Sequence, residues 1–410
     1  MTPNELFDTV PSEIPLEEVF EAYYECRRHK RGTINALKFE IDLEENLVQL
    51  WRDINSGTYE IGQSIAFIVN TPVKREIFAA DFRDRIVHHL IIRRLMPFFE
   101  HTFIDASYSC RVGKGSLYAI FDVYRQIKEI SKNWTQSCWV LKMDIQAFFM
   151  SIPKEKLAGL LDRFVVQSYT GVDKAILRRL IGQIVLHSPQ HNCHVKGHSS
   201  DWTGLSFSKS LFRVPSTQGL PIGNLTSQIF ANFYLNVFDH FIITHPARVG
   251  YGRYVDDFVL IHRNKKILKK MRHDICYYLS DHLNLKAHPQ KIRLQSADKG
   301  VPFVGFYIKP HRIVCGRRIK GQMIGKIQFL NACVNLPPKK RPSVFSVCQT
   351  VNSYLGLMKH VSCFKLKRRL LNRLSHVWQK NVVQIGCQKI QPVIAHHPVS
   401  CMRQMIRRLM

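Results

Sequence analysis

The sequence is short of acid. Thirty-one Asp and Glu stand against 59 Lys and Arg, giving a formal net charge of +28 at pH 7 and a pI of about 9.8. A chain this basic is expected to meet a polyanion, most often nucleic acid. Long apolar runs are also missing: none approaches the roughly 18–20 residues that a membrane-spanning helix needs. Met1-Thr2-Pro3-Asn4 opens neither a secretory leader nor a lipidation signal, so the chain reads as cytoplasmic, with no membrane partner. Eleven cysteines are scattered without one Cys-x-x-Cys pair. That argues against a zinc ribbon or a disulfide framework and for reduced, buried thiols. With 410 residues and 45% hydrophobic content, the chain has material for substantial cores in two or three domains.

The few acids are placed pointedly. Gly252-Arg253-Tyr254-Val255-Asp256-Asp257-Phe258-Val259-Leu260-Ile261 sets two adjacent carboxylates between an aromatic and a run rich in β-branched residues. That composition predicts a β-hairpin with the acids at its turn. Neighbouring side chains on a strand point to opposite faces, so two adjacent Asp share one site only where the chain bends. Far upstream, the apolar strand Trp139–Met143 ends in Asp144 and is followed by Phe148 and Phe149. Three carboxylates gathered at one point repel one another unless a cation neutralises them. Oxygen-only ligands suit Mg²⁺, and two such ions about 3.5–4 Å apart would activate a 3′-hydroxyl and stabilise a leaving pyrophosphate.

These residues carry a family resemblance. Tyr254-Val255-Asp256-Asp257 resembles the signature tetrad of reverse transcriptases, and the Asp144 segment resembles their first catalytic motif. Gly219-Leu220-Pro221-Ile222-Gly223-Asn224-Leu225-Thr226-Ser227-Gln228 is similar to their template- and nucleotide-contacting motif, and the three occur in the family's order. Most cellular members have Gln-Gly-x-x-x-Ser-Pro there, whereas this chain has Ile222-Gly223-x-x-x-Ser227-Gln228. That departure is similar to the enzymes of diversity-generating retroelements, which copy an RNA template with frequent errors at adenines. Replacing Gln by Ile222 removes donors and an acceptor that could fix the template nucleotide, which loosens discrimination between right and wrong pairs.

The resemblance implies an α+β, right-hand polymerase fold: fingers, a palm with an antiparallel sheet bearing the three Asp, and a helical thumb. It implies Asp144, Ile145, Asp256 and Asp257 as metal positions for two Mg²⁺, with Mn²⁺ as the substitute ion. Lys291, in Asn284–Lys291, takes the role of the lysine that protonates departing pyrophosphate. Arg75 and Arg111 fall in segments that hold the triphosphate and template. Phe149 lies where the family places the aromatic that excludes a ribose 2′-hydroxyl. Gly219, Pro221, Ile222, Gly223, Ser227, Gln228 and Tyr254 complete the nucleotide and template set. The implied partners are template RNA, the RNA–DNA hybrid, deoxynucleoside triphosphates and a small, basic, oligomeric accessory protein.

Along the chain, residues 1–60 read as a helical extension, with apolar 3–4 spacing over Leu16–Arg27 and Leu43–Leu50. Cys26–Arg31 is a basic run suited to RNA backbone or simply to a solvated helix end. Residues 61–135 are expected as fingers, opening with a strand over Ser64–Val69. Residues 136–310 are expected as palm, with helices and a loop inserted at about 154–215. The His-rich stretch His187–His198 lacks regular zinc spacing, and a long loop there is expected to be functional. Ser227–Asn236 and Lys265–Leu283 read as helices, and Val301–Tyr307 as the hairpin that grips the primer strand. Residues 311–385 form the basic thumb, with Val351–His360 as its helix, and 386–410 a basic tail. Three other readings fit parts of the pattern. One is a group II intron-type enzyme with maturase activity, opposed by Ser227-Gln228 and by the lack of an evident endonuclease or DNA-binding domain after the thumb. The second is a retron or anti-phage defence enzyme of ordinary fidelity. The third is a basic RNA-binding scaffold, which has no use for a costly carboxylate cluster.

Overall fold

Runs of residues whose apolar positions recur at three and four produce helices through the first part of the chain. The computed structural model describes residues 13–28, 32–71 and 73–393. Helices α1 (Leu16–Arg27), α2 (Ile34–Phe39) and α3 (Leu43–Ser56) bury Val19, Ala22 and Tyr23 from the first and Leu47, Leu50 and Ile54 from the third. Arg27 of the basic run pairs with Glu40 at 2.6 Å, while His29, Lys30 and Arg31 lie outside the described residues. The strand expected at Ser64–Val69 is β1, and it pairs antiparallel with β2 (Arg75–Ala79). Asp81 then caps α4 (Phe82–Thr102) by accepting from the Arg83 main-chain N–H. Helix α4 packs along α1, tied by Arg93 to Glu18 and Glu25 at 3.1 and 2.7 Å. Helix α5 (Ser116–Ile130) follows.

The central sheet is assembled from distant segments. After β3 (Trp139–Asp144) come α6 (Phe148–Ser151), α7 (Lys154–Ser168) and α8 (Lys174–Leu186). The stretch expected as a loop contains a short strand, β4 (Cys193–Val195), which adds parallel to β1 and makes the order β2-β1-β4. Then follow α9 (Leu225–Tyr234), α10 (Asn236–Thr244), β5 (Gly250–Tyr254), β6 (Asp257–His262), α11 (Lys265–Leu283) and β7 (Arg293–Ser296). The single helix read over Ser227–Asn236 is therefore two, breaking at Leu235. The four-stranded sheet has the order β5-β6-β3-β7, with β5/β6 and β6/β3 antiparallel. Phe258 and Leu260 of β6 and Leu141 and Met143 of β3 enter the main core with the buried faces of α9, α10 and α11.

The chain divides into two compact units, residues 1–122 with Trp139–Gln295, and Val123–Cys138 with the residues from Ser296 onward. This differs from the expected palm–thumb boundary at 310/311. The hairpin β8 (Val301–Phe303) and β9 (Phe306–Lys309) continues into β10 (Arg312–Cys315), so its ladder groups with the helices that follow. Those are α12 (Arg317–Ala332), α13 (Val344–Met358), α14 (Phe364–Leu371) and a short α15 (His376–Lys380). The end of the expected thumb and the start of the expected tail form a second hairpin, β11 (Val382–Ile385) with β12 (Lys389–Pro392). Asn352 of α13 clamps it, donating to the Ile390 carbonyl and accepting from the Ile390 N–H, both at 2.8 Å. The basic piece Met402–Met410 lies outside the described residues. Among the described residues no helix is long and apolar enough to cross a membrane.

One ion pair anchors the β5–β6 hairpin. Arg253 on β5 and Asp239 on α10 are each fully buried and bonded through Nη2 and Oδ2. The guanidinium also reaches Asn232 Oδ1 and the Val255 carbonyl, both at 3.0 Å, and Ser107 Oγ at 3.1 Å. Tyr251 donates to Asp239 Oδ1 at 2.7 Å. A buried charge stripped of its partner is far costlier than a broken surface pair. Asp239→Ala is therefore expected to lower stability by about 3–5 kcal/mol in urea unfolding. Arg178→Ala, which removes an exposed pair with Asp162, is expected to cost about 1 kcal/mol or less. Equal effects of the two would contradict the anchoring role.

Candidate active site

Strand register brings the acids together. Asp144 at the end of β3 lies directly opposite Asp257 at the start of β6. Opposed residues on adjacent strands hold their Cβ atoms about 4.5–5.5 Å apart, so the two carboxylates share one edge of the sheet. Asp256 occupies the two-residue turn between Tyr254 and Asp257, and its carbonyl accepts from the Ile145 N–H at 3.1 Å. The other turn residue, Val255, has φ +58°, a left-handed conformation that costs a β-branched residue of order 1–3 kcal/mol. The turn is held from both sides: Val255 N–H donates to Ser109 Oγ at 3.2 Å, and Arg253 donates to the Val255 carbonyl. Downstream, His288 N–H donates to the Asp144 carbonyl at 2.7 Å and Gln146 N–H to the Lys286 carbonyl at 2.8 Å. The Asn284–Lys291 segment is thereby fastened beside Asp144.

Two ammonium groups share this charge. Lys142 Nζ lies 2.7 Å from Asp257 Oδ2, and Lys291 Nζ 2.8 Å from Asp144 Oδ1. Burial, with the neighbouring charges of Asp144 and Asp257, pushes the Asp256 carboxyl up to about 6. Burial also raises Asp257, against the lowering pull of Lys142. The second Asp257 oxygen, Oδ1, is buried with no hydrogen-bond partner. A buried, unbonded carboxylate oxygen beside another carboxylate is what a hard cation takes as a ligand, so the donor set fits Mg²⁺. Among the described residues no group of three or more His, Cys, Asp or Glu could enclose an ion by itself. Mg²⁺ does not require one, because it usually binds through one or two carboxylates and completes its shell with water and phosphate. Ile145 offers only its carbonyl for such a role, its side chain being buried in the core.

The motif around Ile222 is threaded against the β1–β2 sheet. Phe78 N–H of β2 donates to the Ile222 carbonyl at 2.9 Å, and Ala80 N–H to Asn224 Oδ1 at 3.1 Å. At Gly223, with φ +129°, a Cβ would come within 2.8 Å of Ile77 and 3.1 Å of the Phe78 carbonyl, so only glycine fits. Ser227 is buried, Gln228 is exposed, and Pro221 and Tyr254 are half-buried. Phe148 is in the core, whereas Phe149 is half-buried, packed against both that core and, with Ile222, a second small cluster. Arg75 is exposed at the start of β2.

Arg111 is placed otherwise than the sequence suggested. Its side chain is only 6% exposed, and the guanidinium forks onto Glu100 and donates to the carbonyls of Ile104 and Ser107 at 2.6 and 2.9 Å. It braces its own loop and is not presented to the aspartates. Sequence reasoning passed over Lys142, although its period-2 offset from Asp144 puts it on the same strand face. Arg253 and Ser109, which support the turn, carried no sequence signal of their own.

The family model described as reverse transcriptase (RNA-dependent DNA polymerase) matches residues 73–308, more than half of the chain. Protein YkfC of Escherichia coli (strain K12) is 24% identical over 273 residues, which cover 59% of this chain and 63% of that protein. Among solved structures, the apo telomerase of Candida tropicalis aligns with a TM-score of 0.46 at 12% identity. The telomerase of Candida albicans in complex with a TWJ fragment of telomeric RNA aligns at 0.43 and 11%. Each alignment covers 77% of this chain and 58% of the telomerase chain.

The raised Asp256 carboxyl makes stability depend on pH. Its folded-state value of about 6 lies above the ordinary carboxylate value, so between about pH 4 and 6 the folded state holds a proton that the unfolded chain releases. Stability therefore falls as pH rises through that window, and the penalty is complete above it. In chelator, Asp256→Asn is expected to stabilise the protein by about 1–3 kcal/mol at pH 7 and by little near pH 4. Urea unfolding at the two pH values measures the difference, and an equal effect at both would contradict the assignment.

Proposed function

The chain belongs to the reverse transcriptase (RNA-dependent DNA polymerase) family, and from that premise we propose that it is an RNA-directed DNA polymerase that copies a retroelement template RNA into cDNA. The observation that carries this reading is Asp144 facing Asp257 across β3 and β6, with Asp256 on the adjoining turn. Asp144 and Asp257, with Asp256 and the main chain at Ile145 close by, would hold two Mg²⁺, or Mn²⁺ in their place. Such ions supply charge neutralisation for a reacting 3′-hydroxyl and a departing pyrophosphate. The chain's own groups do the rest. The turn clamped by Ser109 and Arg253 would orient the carboxylates, and Tyr254 would contact nucleotide or template. Lys291, about half exposed and paired to Asp144, would give a proton to the leaving group, help worth about 10²–10⁴-fold. Phe149 would lie beneath the sugar, and Arg75, exposed at the start of β2, would offer a cation to phosphate.

The finer reading is a diversity-generating retroelement enzyme, error-prone at template adenines. It rests on Ile222 and Gln228, because an apolar side chain in the motif cannot hydrogen-bond a template base. Template RNA, deoxynucleoside triphosphates and a small basic accessory protein are the partners this reading requires, and the cytoplasm is its setting. A group II intron-type, retron or defence enzyme keeps the chemistry but not the infidelity.

Primer extension by the purified protein on a mixed-sequence RNA with Mg²⁺ tests both levels. Product is expected, abolished by chelator and reduced about 10³-fold or more by Asp256→Ala, the loss of several kcal/mol of transition-state stabilisation. Errors are expected to concentrate opposite adenines and to diminish in Ile222→Gln. Accurate product would discard the mutagenic reading and keep the polymerase. Absence of product even with the native template RNA and accessory protein would favour a scaffold.

A further inference from the structure

The stretch 187–213 begins with the His-rich run, and the structure shows what it touches. Glu76 on β2 is 1% exposed, and its carboxylate is spent entirely on this stretch. Oε2 accepts from Trp202 Nε1 at 2.6 Å and from Ser210 Oγ at 2.7 Å, while Oε1 accepts from the Leu211 main-chain N–H. All three donors are neutral, and the hydrogen bonds of a buried carboxyl group are costly to leave incomplete. Further contacts fasten the same segment. Lys74 Nζ donates to the Thr203 carbonyl at 2.6 Å, and the Phe212 ring lies 5.1 Å from Phe78 and 6.2 Å from Trp202.

What the clamp holds in place is the wall behind the nucleotide and template residues. Leu211 forms a small buried cluster with Ala66, Phe78 and Met150, against which Phe149, Val214 and Ile222 pack. Gly219, at φ +89°, lies so close that a Cβ there would come within 2.7 Å of Leu211. Leu220 N–H donates to the Phe149 carbonyl at 2.8 Å. Phe149, the 219–223 turn and β2 thus share one support, and Leu211 is its central side chain.

We propose that Glu76 is a positioning residue: by clamping the 199–211 segment onto β2 it sets the wall on which Phe149 and Ile222 rest, and so governs how tightly an incoming deoxynucleoside triphosphate is held. The proposal rests on the polymerase reading for its substrate. Its structural half, that release of Glu76 loosens the motif, stands independently. Glu76→Gln puts an amide donor among three donors, and Trp202→Phe removes one donor while keeping the ring contacts.

The test combines hydrogen exchange with steady-state kinetics on both variants. Amides over 199–211 and 219–228 are expected to exchange about 10-fold faster or more in Glu76→Gln, with the exchange of α11 unchanged. The KM for deoxynucleotide is expected to rise by about 10- to 100-fold, the effect of misplacing a binding wall, while kcat at saturation stays within about 2-fold. Trp202→Phe should move both readouts in the same direction by less. Faster exchange over 199–211 with no change over 219–228 overturns the proposal whatever the activity. So does a loss of kcat in step with global unfolding at unchanged KM. A wild type without polymerase activity overturns the functional reading and the nucleotide half of the proposal, while the exchange data alone decide the structural half.

Discussion

The buried pair of Arg253 and Asp239 is the constraint on which the active-site geometry depends. A guanidinium taken wholly out of water needs every donor satisfied, and this one finds partners on α10, on α9, in the loop before α5 and on the strained turn itself. Each bond ties a different piece of chain to the β5–β6 hairpin. The left-handed conformation of Val255 is tolerated because its carbonyl and its N–H are both held within this network. Strain of this kind persists only where the surroundings over-determine it, and here the surroundings deliver Asp256 to the turn and Asp257 to the sheet edge.

Electrostatics then runs against stability in favour of function. Burial holds the Asp256 and Asp257 carboxyls above their ordinary values, and Asp257 Oδ1 lies buried without a partner. Lys142 and Lys291 offset part of this cost, each on a different aspartate. Groups left poorly solvated in the protein alone are those with most to gain from a cation or a phosphate, which is why such costs gather at reactive sites.

Strands β1 and β2, the 199–213 segment and the Gly219–Gln228 motif form a second mechanical group. Strand β2 makes a main-chain bond to the Ile222 turn, its Glu76 holds the 199–211 segment, and Leu211 from that segment packs behind Phe149. A displacement anywhere in this set is transmitted through close packing, since a well-packed cluster has no free volume in which to absorb it.

Local chemistry alone determined a good deal. Period-2 and period-3.6 patterns marked β1 at Ser64–Val69 and α11 at Lys265–Leu283 with the bounds observed, and the hairpin at the Asp pair followed from composition, although its two-residue turn is Val255-Asp256 and Asp257 begins β6. The order of the motifs sufficed for the family. Other features depend on partners far along the chain, which no local pattern encodes. The three-residue β4 exists because β1 offers it an edge, and the β11–β12 hairpin because Asn352 and α13 receive it. The unit boundary shifted to 295/296 because β10 completes the β8–β9 ladder. Arg111 turned inward because Glu100 and two carbonyls lay within reach, and Lys142 became part of the site because β3 and β6 pair in that register. Composition and periodicity specify which elements form; register, burial and long-range hydrogen bonds decide which side chains meet.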